Sequence, residues 1–417
     1  MEQDINNPIT PSDWIPENSI IKVIGVGGGG CNAVNYMYNQ KISGCSFIVC
    51  NTDSQALKRS PVPVKIQMGA GLGAGTDPVA GRNAALESQE VIIEKALSNG
   101  TQMLFITAGM GGGTGTGAAP VIAKMAKDRG ILTVAVVTIP FKADGVETQA
   151  KAVDGIHELE RNVDSLLIIN NEKLTEYFGD EFLHEAYPKA DEVLSTAVKG
   201  IIEIISKPGY INVDFRDVTN MMRDSGMALM GHGEGRGEDR LEKAVKDAFE
   251  SPLLNDFDLK TAKNVLINIT VGNTDKGIRM SDLGAINQMI AKYTGGANKF
   301  KTGIIYDSSI EDAVMITAIA TGFDMGKLGD ITDVTLGNLI ILDPDFTYTA
   351  PSRKMEQAPD PYEGRATIKI GFSSAEPRGK FDYDASNKPV LAIQPGQDLS
   401  SLESIPAIRR THADKNQ

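Results

Sequence analysis

Apolar residues fall in short, nearly continuous runs separated by stretches with helical spacing. The runs IIKVIGVG (Ile20 to Gly27), SFIVCN (Ser46 to Asn51), QMLFITAG (Gln102 to Gly109), ILTVAVVTI (from Ile131) and SLLIIN (Ser165 to Asn170) predict buried parallel strands. Between them CNAVNYMYNQ and the segments Asn83 to Leu97, Ala118 to Arg129 and Gln149 to Arg161 predict helices. Alternating strand and helix predicts a parallel sheet covered on both faces. A long helical pattern, Ala190 to Ser206, ends at Lys207-Pro208-Gly209. Beyond it come a short helix, a helix near Glu238 to Phe249, the strand NVLINITV, a helix Leu283 to Tyr293, and strands near Thr302 to Tyr306 and Met315 to Thr321. This predicts a second, smaller α/β layer. After Gly326 the pattern decays, and the proline-rich polar stretch from Pro351 to Ser400 predicts a flexible linker in which ATIKIGF alone is strand-like.

Composition narrows the class. With 41% hydrophobic and 23% charged residues, most of the 417-residue chain can bury a core. The longest apolar run, near Ile131 to Ile139, is half a membrane span, and the acidic start lacks the basic, apolar form of a signal peptide. The expectation is a cytoplasmic protein without membrane insertion. A formal charge of -13 disfavours nucleic acid as a partner. Three cysteines, Cys31, Cys45 and Cys50, fit reduced thiols, and four scattered histidines argue against a zinc site.

Two glycine clusters change the picture. GVGGGGCN (Gly25 to Asn32) joins a strand to a helix and contains Gly25-x-Gly27-x-x-Gly30, with Asp53 downstream. Alone it fits either a dinucleotide-binding turn or a tight structural turn. The second cluster, GMGGGTGTGAAP (Gly109 to Pro120), also joins strand to helix. It offers a run of unshielded N–H groups, two threonine hydroxyls and a helix N-terminus to anionic oxygens. No G-x-x-x-x-G-K-[ST] is present, so the P-loop solution is absent.

GGGTGTG (Gly111 to Gly117) is the signature of the tubulin and FtsZ superfamily, and the chain resembles its FtsZ branch from about Ile20 to Phe323. GVGGGGCNAV, NTDSQAL, GLGAGTDPVAGRNAA, INVDFRDV and SPLLND carry the resemblance further. It implies an α/β fold. A Rossmann-like GTPase domain (residues 20–186) follows a flexible arm (1–19). A central helix (187–206), a second α/β domain (207–325), a disordered linker (326–400) and a partner-binding tail (401–417) complete it. It also implies GTP and GDP as ligands with Mg²⁺ as companion ion, held without direct protein ligands.

The site residues are implied in the same way. Gly28, Gly29, Gly30, Cys31 and Asn32, with Asn51 and the run Gly111, Gly112, Gly113, Thr114, Gly115, Thr116 and Gly117, would hold the phosphates. Tyr187 would stack on guanine. Asp191 would accept from its N1–H and N2–H₂, a donor pair adenine lacks. Asp144 would contact the ribose, and Thr148 stands at a nucleotide-contacting position. Asn212, Asp214 and Asp217 would enter the neighbouring subunit's site and activate water; without the resemblance, two acids three apart read as ordinary helix capping. Hydrolysis would then require head-to-tail self-contact, which generates filaments.

Departures from the family pattern also matter. PFKADGVET (Pro140 to Thr148) carries Asp144 where the family has Glu and Thr148 where it has Arg; Lys142 or Lys151 could substitute. The loop before GLGAG is short. Both predict a weak or slow GTPase. Ile405, Pro406, Ala407, Ile408, Arg409 and Arg410 resemble, imperfectly, a peptide that docks membrane-anchoring and regulatory proteins. The implied role is a filament-forming GTPase of the division ring, located at the division site. A hydrolysis-poor scaffold and an NAD-dependent oxidoreductase are the alternatives. The second leaves GGGTGTG and NVDFRD unused.

Overall fold

The computed structural model describes residues 19–98, 100–172, 183–207, 209–211, 213–251, 259–272, 278–295 and 299–323. The strands are β1 (Ile21–Val26), β2 (Ser46–Asn51), β3 (Val64–Gln67), β4 (Met103–Gly109), β5 (Leu132–Ile139), β6 (Ser165–Asn170), β7 (Gly209–Ile211), β8 (Gly226–Gly235), β9 (Asn264–Val271), β10 (Lys299–Tyr306) and β11 (Val314–Thr321). The helices are α1 (Gly27–Asn39), α2 (Ser54–Arg59), α3 (Pro78–Glu87), α4 (Gln89–Ile92), α5 (Gly113–Lys127), α6 (Val146–Glu160), α7 (Leu183–Ser206), α8 (Phe215–Met222), α9 (Arg240–Phe249) and α10 (Met280–Thr294). All the strands belong to one sheet, in the order β3-β2-β1-β4-β5-β6-β8-β11-β9-β10-β7. The second α/β layer therefore continues the first sheet. The seam is the parallel pairing of β6 with β8, Ser165 to Leu167 opposite Gly226 to Ala228.

Direction along this sheet fixes everything that follows. Strands β1 to β6 are mutually parallel, β8 is parallel to β6, and β9 and β10 share that direction because both β8 and β9 are antiparallel to β11. Only β11 and the edge strand β7 run the other way. The molecule thus has a carboxyl-end face and an amino-end face.

Strands β1, β2, β4, β5 and β6 are buried along almost their whole length, as expected for a sheet covered on both sides, whereas the edge strand β3 is half-buried. One core packs α3, α5 and α6 against it through Ile24, Ile106, Ile122 and Ile156. The other face receives α1 and the 24-residue α7. Leu194, Val198, Ile201, Ile202 and Ile204 of α7 are buried in a cluster shared with Val134 of β5 and with Met230, Leu266 and Ile319 of the second half. At about 2 kcal/mol per large aliphatic side chain, these five contribute on the order of 10 kcal/mol in transfer terms. A third core is confined to the second half, where α9 and α10 cover Ile267, Ile269 and Ile316.

Several elements depart from the sequence expectation, among them β3, α2 and β7, which no pattern announced. The two glycine-led helices begin at Gly27 and Gly113, four or five residues earlier than predicted, so the glycine runs belong to the helices' first turns; Gly27 itself enters with a positive φ. The predicted helix Asn83 to Leu97 is broken into α3, α4 and a π turn Ile93–Leu97. Strand β8 had no hydrophobic alternation to reveal it, since four of its ten residues are glycine. Packing explains two of them. A Cβ on Gly233 would lie 2.2 Å from the Ala244 carbonyl oxygen, and one on Gly235 1.9 Å from that of Arg240. Helix α9 rests directly on the strand backbone there.

Candidate active site

The carboxyl ends of β1 and β4 each feed straight into a helix, and the two turns touch. A Cβ on Gly29 would come within 3.2 Å of the Gly109 Cα, and one on Gly27 within 2.8 Å of the Gly115 nitrogen. Gly30 and Gly115 are closed in the same way, against the Thr107 and Gly109 carbonyls at 2.2 and 2.5 Å. Gly113 and Gly117 lock α5 against the Asp77-Pro78 start of α3, at 2.8 and 1.9 Å. Most of these glycines thus serve the close approach of backbone to backbone. Gly28 and Gly112 do not. Both are exposed, and a Cβ on either would meet nothing within 4 Å.

Helices α1 and α5 have no side-chain cap: their N-caps are Val26 and Gly112. Neighbouring α2 and α3 are capped by Asp53 and Asp77. The first N–H groups of α1 and α5, around Gly27 to Gly29 and Gly113 to Gly115, precede the first intrahelical bonds. Two helix dipoles with free donors therefore end side by side at the carboxyl-end face, the arrangement that suits a polyanion.

Several predicted contacts are occupied by the fold. Cys31 is buried, and its thiol lies 3.6 Å from the Gly25 and Cys50 carbonyl oxygens. Burial pushes its pKa up to about 12, so it is a packing residue and not a nucleophile. The Asn51 side chain is buried beside that sulfur, and its carbonyl accepts from the Asp53 N–H at 3.2 Å. Asn32 is exposed one residue on, already inside α1. The Thr116 hydroxyl accepts from the Gly111 N–H at 2.8 Å and so braces the turn. The Thr114 hydroxyl shares a 2.6 Å hydrogen bond with Thr52. Thr52 was not singled out from sequence; its place in NTDSQAL, immediately after β2, was the available signal.

The turn after β5 closes one side. Asp144 accepts from the Phe141 N–H at 2.9 Å, and Thr148 donates to the Asp144 carbonyl at 2.9 Å. Gly111 sits against Thr148, where an added Cβ would be 2.7 Å from its Cγ2. Position 148 therefore borders the second glycine turn. The Lys151 ammonium is tied to Glu147 at 2.6 Å. The Tyr187 side chain and Asn212 lie outside the described residues. Asp191, on α7, is half-buried, and no hydrogen bond to its carboxylate is seen among the described residues. Burial raises its pKa from 3.8 to about 6, a signature common at ligand sites.

Asp214 and Asp217 stand elsewhere. Asp214 caps α8, accepting from the Asp217 N–H at 2.7 Å, so the capping reading is correct as far as it goes. Asp217 pairs with Lys301, the third residue of β10, at 3.0 Å. The other end of α8 meets the amino-end face, where Arg223 donates to the Gly130 carbonyl just before β5. The acids therefore lie at the amino end of the sheet and the glycine turns at the carboxyl end. Along the sheet, β4 and β10, whose Lys301 holds Asp217, are six inter-strand spacings apart, about 29 Å. One chain cannot bring both to one ligand. Among the described residues no group of three or more His, Cys, Asp or Glu could hold a metal ion.

Two family models match the chain: the GTPase domain of the Tubulin/FtsZ family over residues 20–179, and the C-terminal domain of the FtsZ family over 226–324. A cell division protein FtsZ of Azotobacter vinelandii is 41% identical, with 96% of this chain and 99% of the relative aligned. One from Porphyromonas gingivalis is 47% identical over 77% of this chain and 71% of the relative. Among solved structures, an empty FtsZ dimer of M. jannaschii superposes with a TM-score of 0.67 at 39% identity, covering 72% of this chain and 88% of that one.

Proposed function

The chain belongs to the Tubulin/FtsZ family and is a GTP-hydrolysing cytoskeletal protein of cell division, and on that premise we propose that its active site is completed between two copies docked head to tail. The observation that carries the reading is the separation of the two half-sites. Two uncapped, glycine-led helix N-termini touch at the carboxyl end of the sheet, and Asp214 and Asp217 sit at its amino end.

The α1 and α5 turns hold the GTP phosphates through their free N–H groups, with Gly28 and Gly112 leaving room for phosphate oxygens. Asp191 reads guanine, and Tyr187 stacks on it. Asp217 of the next copy, helped by Asp214 and Asn212, orients a water whose oxygen bonds to the γ-phosphorus as the bond to the β–γ bridging oxygen breaks. The proton passes to a carboxylate or to phosphate. Mg²⁺ would accompany the nucleotide. When bound, it neutralises phosphate charge.

Exposed apolar side chains at both ends favour such docking. Leu72 (92% exposed), Val146 and Met280 follow strands at the carboxyl end, whereas Ile211 and Phe300 lie at the end of β7 and the start of β10. Contact of unlike ends does not close on itself, so it propagates as a filament. With Thr148 neutral and Lys151 tied to Glu147, the cradle is poor in cations. We therefore also propose slow turnover for this family. Location at the division septum, and docking of anchoring proteins on Ile405 to Arg410, complete the proposal; that tail lies outside the described residues.

The deciding experiment is GTP turnover against protein concentration. A shared site gives specific activity that climbs steeply from near zero. Constant specific activity down to dilute monomer refutes it. A second reading, a hydrolysis-poor scaffold, is favoured by Thr148 and predicts lasting polymer with little phosphate release.

A further inference from the structure

Arg216 stands between Asp214 and Asp217, the second residue of α8. A cation at that position opposes the helix dipole and lowers helix stability. Core contacts do not hold it there. Val218, Met221 and Met222 form the buried stripe of α8, and Arg216, two residues before Val218, is on the opposite, exposed face. Nor is it engaged by the adjacent acids. Asp214 is occupied in capping, accepting from the Asp217 N–H. Asp217 is drawn to Lys301, 3.0 Å away across from β10. Among the described residues none pairs with the Arg216 guanidinium. Lys301 thus competes for the Asp217 carboxylate that could otherwise quench it.

The other half-site lacks what Arg216 has. Thr148 borders the second glycine turn through Gly111 and is neutral, and Lys151 beside it is neutralised by Glu147. Apart from Lys142 in the turn after β5, the cradle at the carboxyl end must hold a polyphosphate with neutral N–H donors. The start of α8 at the amino end presents an exposed, permanently charged fork, unpaired among the described residues, that matches phosphate oxygens bidentately.

We propose that Arg216 crosses the head-to-tail contact and binds the terminal phosphate of the GTP held by the neighbouring copy, supplying in trans the positive charge that position 148 lacks. This rests on the shared-site reading above. Charge builds on the γ-phosphoryl oxygens and the β–γ bridging oxygen as that bond breaks, so the guanidinium acts most strongly in the transition state.

The test measures phosphate release per pelleted subunit, GTP binding to dilute subunits, and thermal unfolding for Arg216→Ala, Arg216→Lys, Asp217→Ala and the pair Arg216→Ala/Thr148→Arg. Expected for Arg216→Ala are at least a tenfold loss of release, unchanged GTP affinity of isolated subunits and an unfolding temperature equal to or slightly above that of the unaltered chain. Partial recovery is expected from Arg216→Lys and from the added Thr148→Arg. Mixing Arg216→Ala with a chain that cannot bind GTP should restore release, because half of the mixed contacts then unite an intact cradle with an intact Arg216. Loss of assembly in Arg216→Ala with recovery in Arg216→Lys also supports a charge acting across the contact; loss in both overturns it. Release at the unaltered rate in Arg216→Ala, with Asp217→Ala inactive, overturns this proposal alone. Full release in Asp217→Ala overturns the shared site itself.

Discussion

Gly28→Ala separates what the glycine turn does for the fold from what it does for a ligand. Gly28 is the second residue of α1, has no positive φ, and an added Cβ would meet no atom within 4 Å. Alanine in place of an exposed helical glycine gains roughly 0.5–1 kcal/mol, less in a first turn. For a chain of this size that raises the unfolding temperature by about 1–2 °C in the absence of nucleotide. The same methyl harms binding. Helical Cβ atoms tilt toward the N-terminus, so this one projects into the space a phosphate oxygen needs to reach the Gly27 to Gly29 N–H groups. Losing one or two charge-assisted bonds costs about 1.5–3 kcal/mol each, a ten- to hundredfold drop in affinity or more. GTP at a hundred times its dissociation constant stabilises the unaltered protein by about 2.7 kcal/mol; a hundredfold weaker variant retains only about 0.4 kcal/mol. Thermal unfolding with and without GTP reads both effects. A variant that melts higher without nucleotide yet keeps the full GTP-induced shift would refute the placement of phosphate at α1.

Other substitutions probe the remaining contacts. Gly117→Ala puts a methyl 1.9 Å from the Pro78 carbonyl oxygen and should lower stability by more than about 3 kcal/mol in a denaturant titration, unlike Gly28→Ala. Asp191 has a folded-state pKa of about 6 against 3.8, so the folded chain holds the proton more tightly. Stability without nucleotide should therefore be highest below pH 4 as far as this group is concerned, and fall by on the order of 2–3 kcal/mol as pH rises through about 6. GTP affinity should move oppositely, gaining as the carboxylate forms; Asp191→Asn should flatten both profiles and admit other purines. Lys301→Met frees Asp217 to pair with Arg216 inside one subunit, and release should fall while GTP binding by dilute protein is unchanged.

The continuous apolar runs of β1, β2, β4, β5 and β6 were legible because a strand buried on both faces must be apolar throughout, whatever its neighbours are. The two glycine turns were legible because close backbone approach and free N–H groups need glycine at fixed positions along the chain. These are local demands, and sequence determines them. What sequence did not reveal depends on partners distant along the chain. Strand β8 is glycine-rich because α9 lies on it, and no local pattern announces that contact. The buried roles of Asn51 and Thr116 follow from how β2 and α5 meet their neighbours. The pairing of Asp217 with Lys301 joins residues 84 positions apart. Above all, only the shared direction of the strands puts the glycine turns at one end of the molecule and the acids at the other, because spacing along a chain carries no record of which end of a sheet a loop will reach.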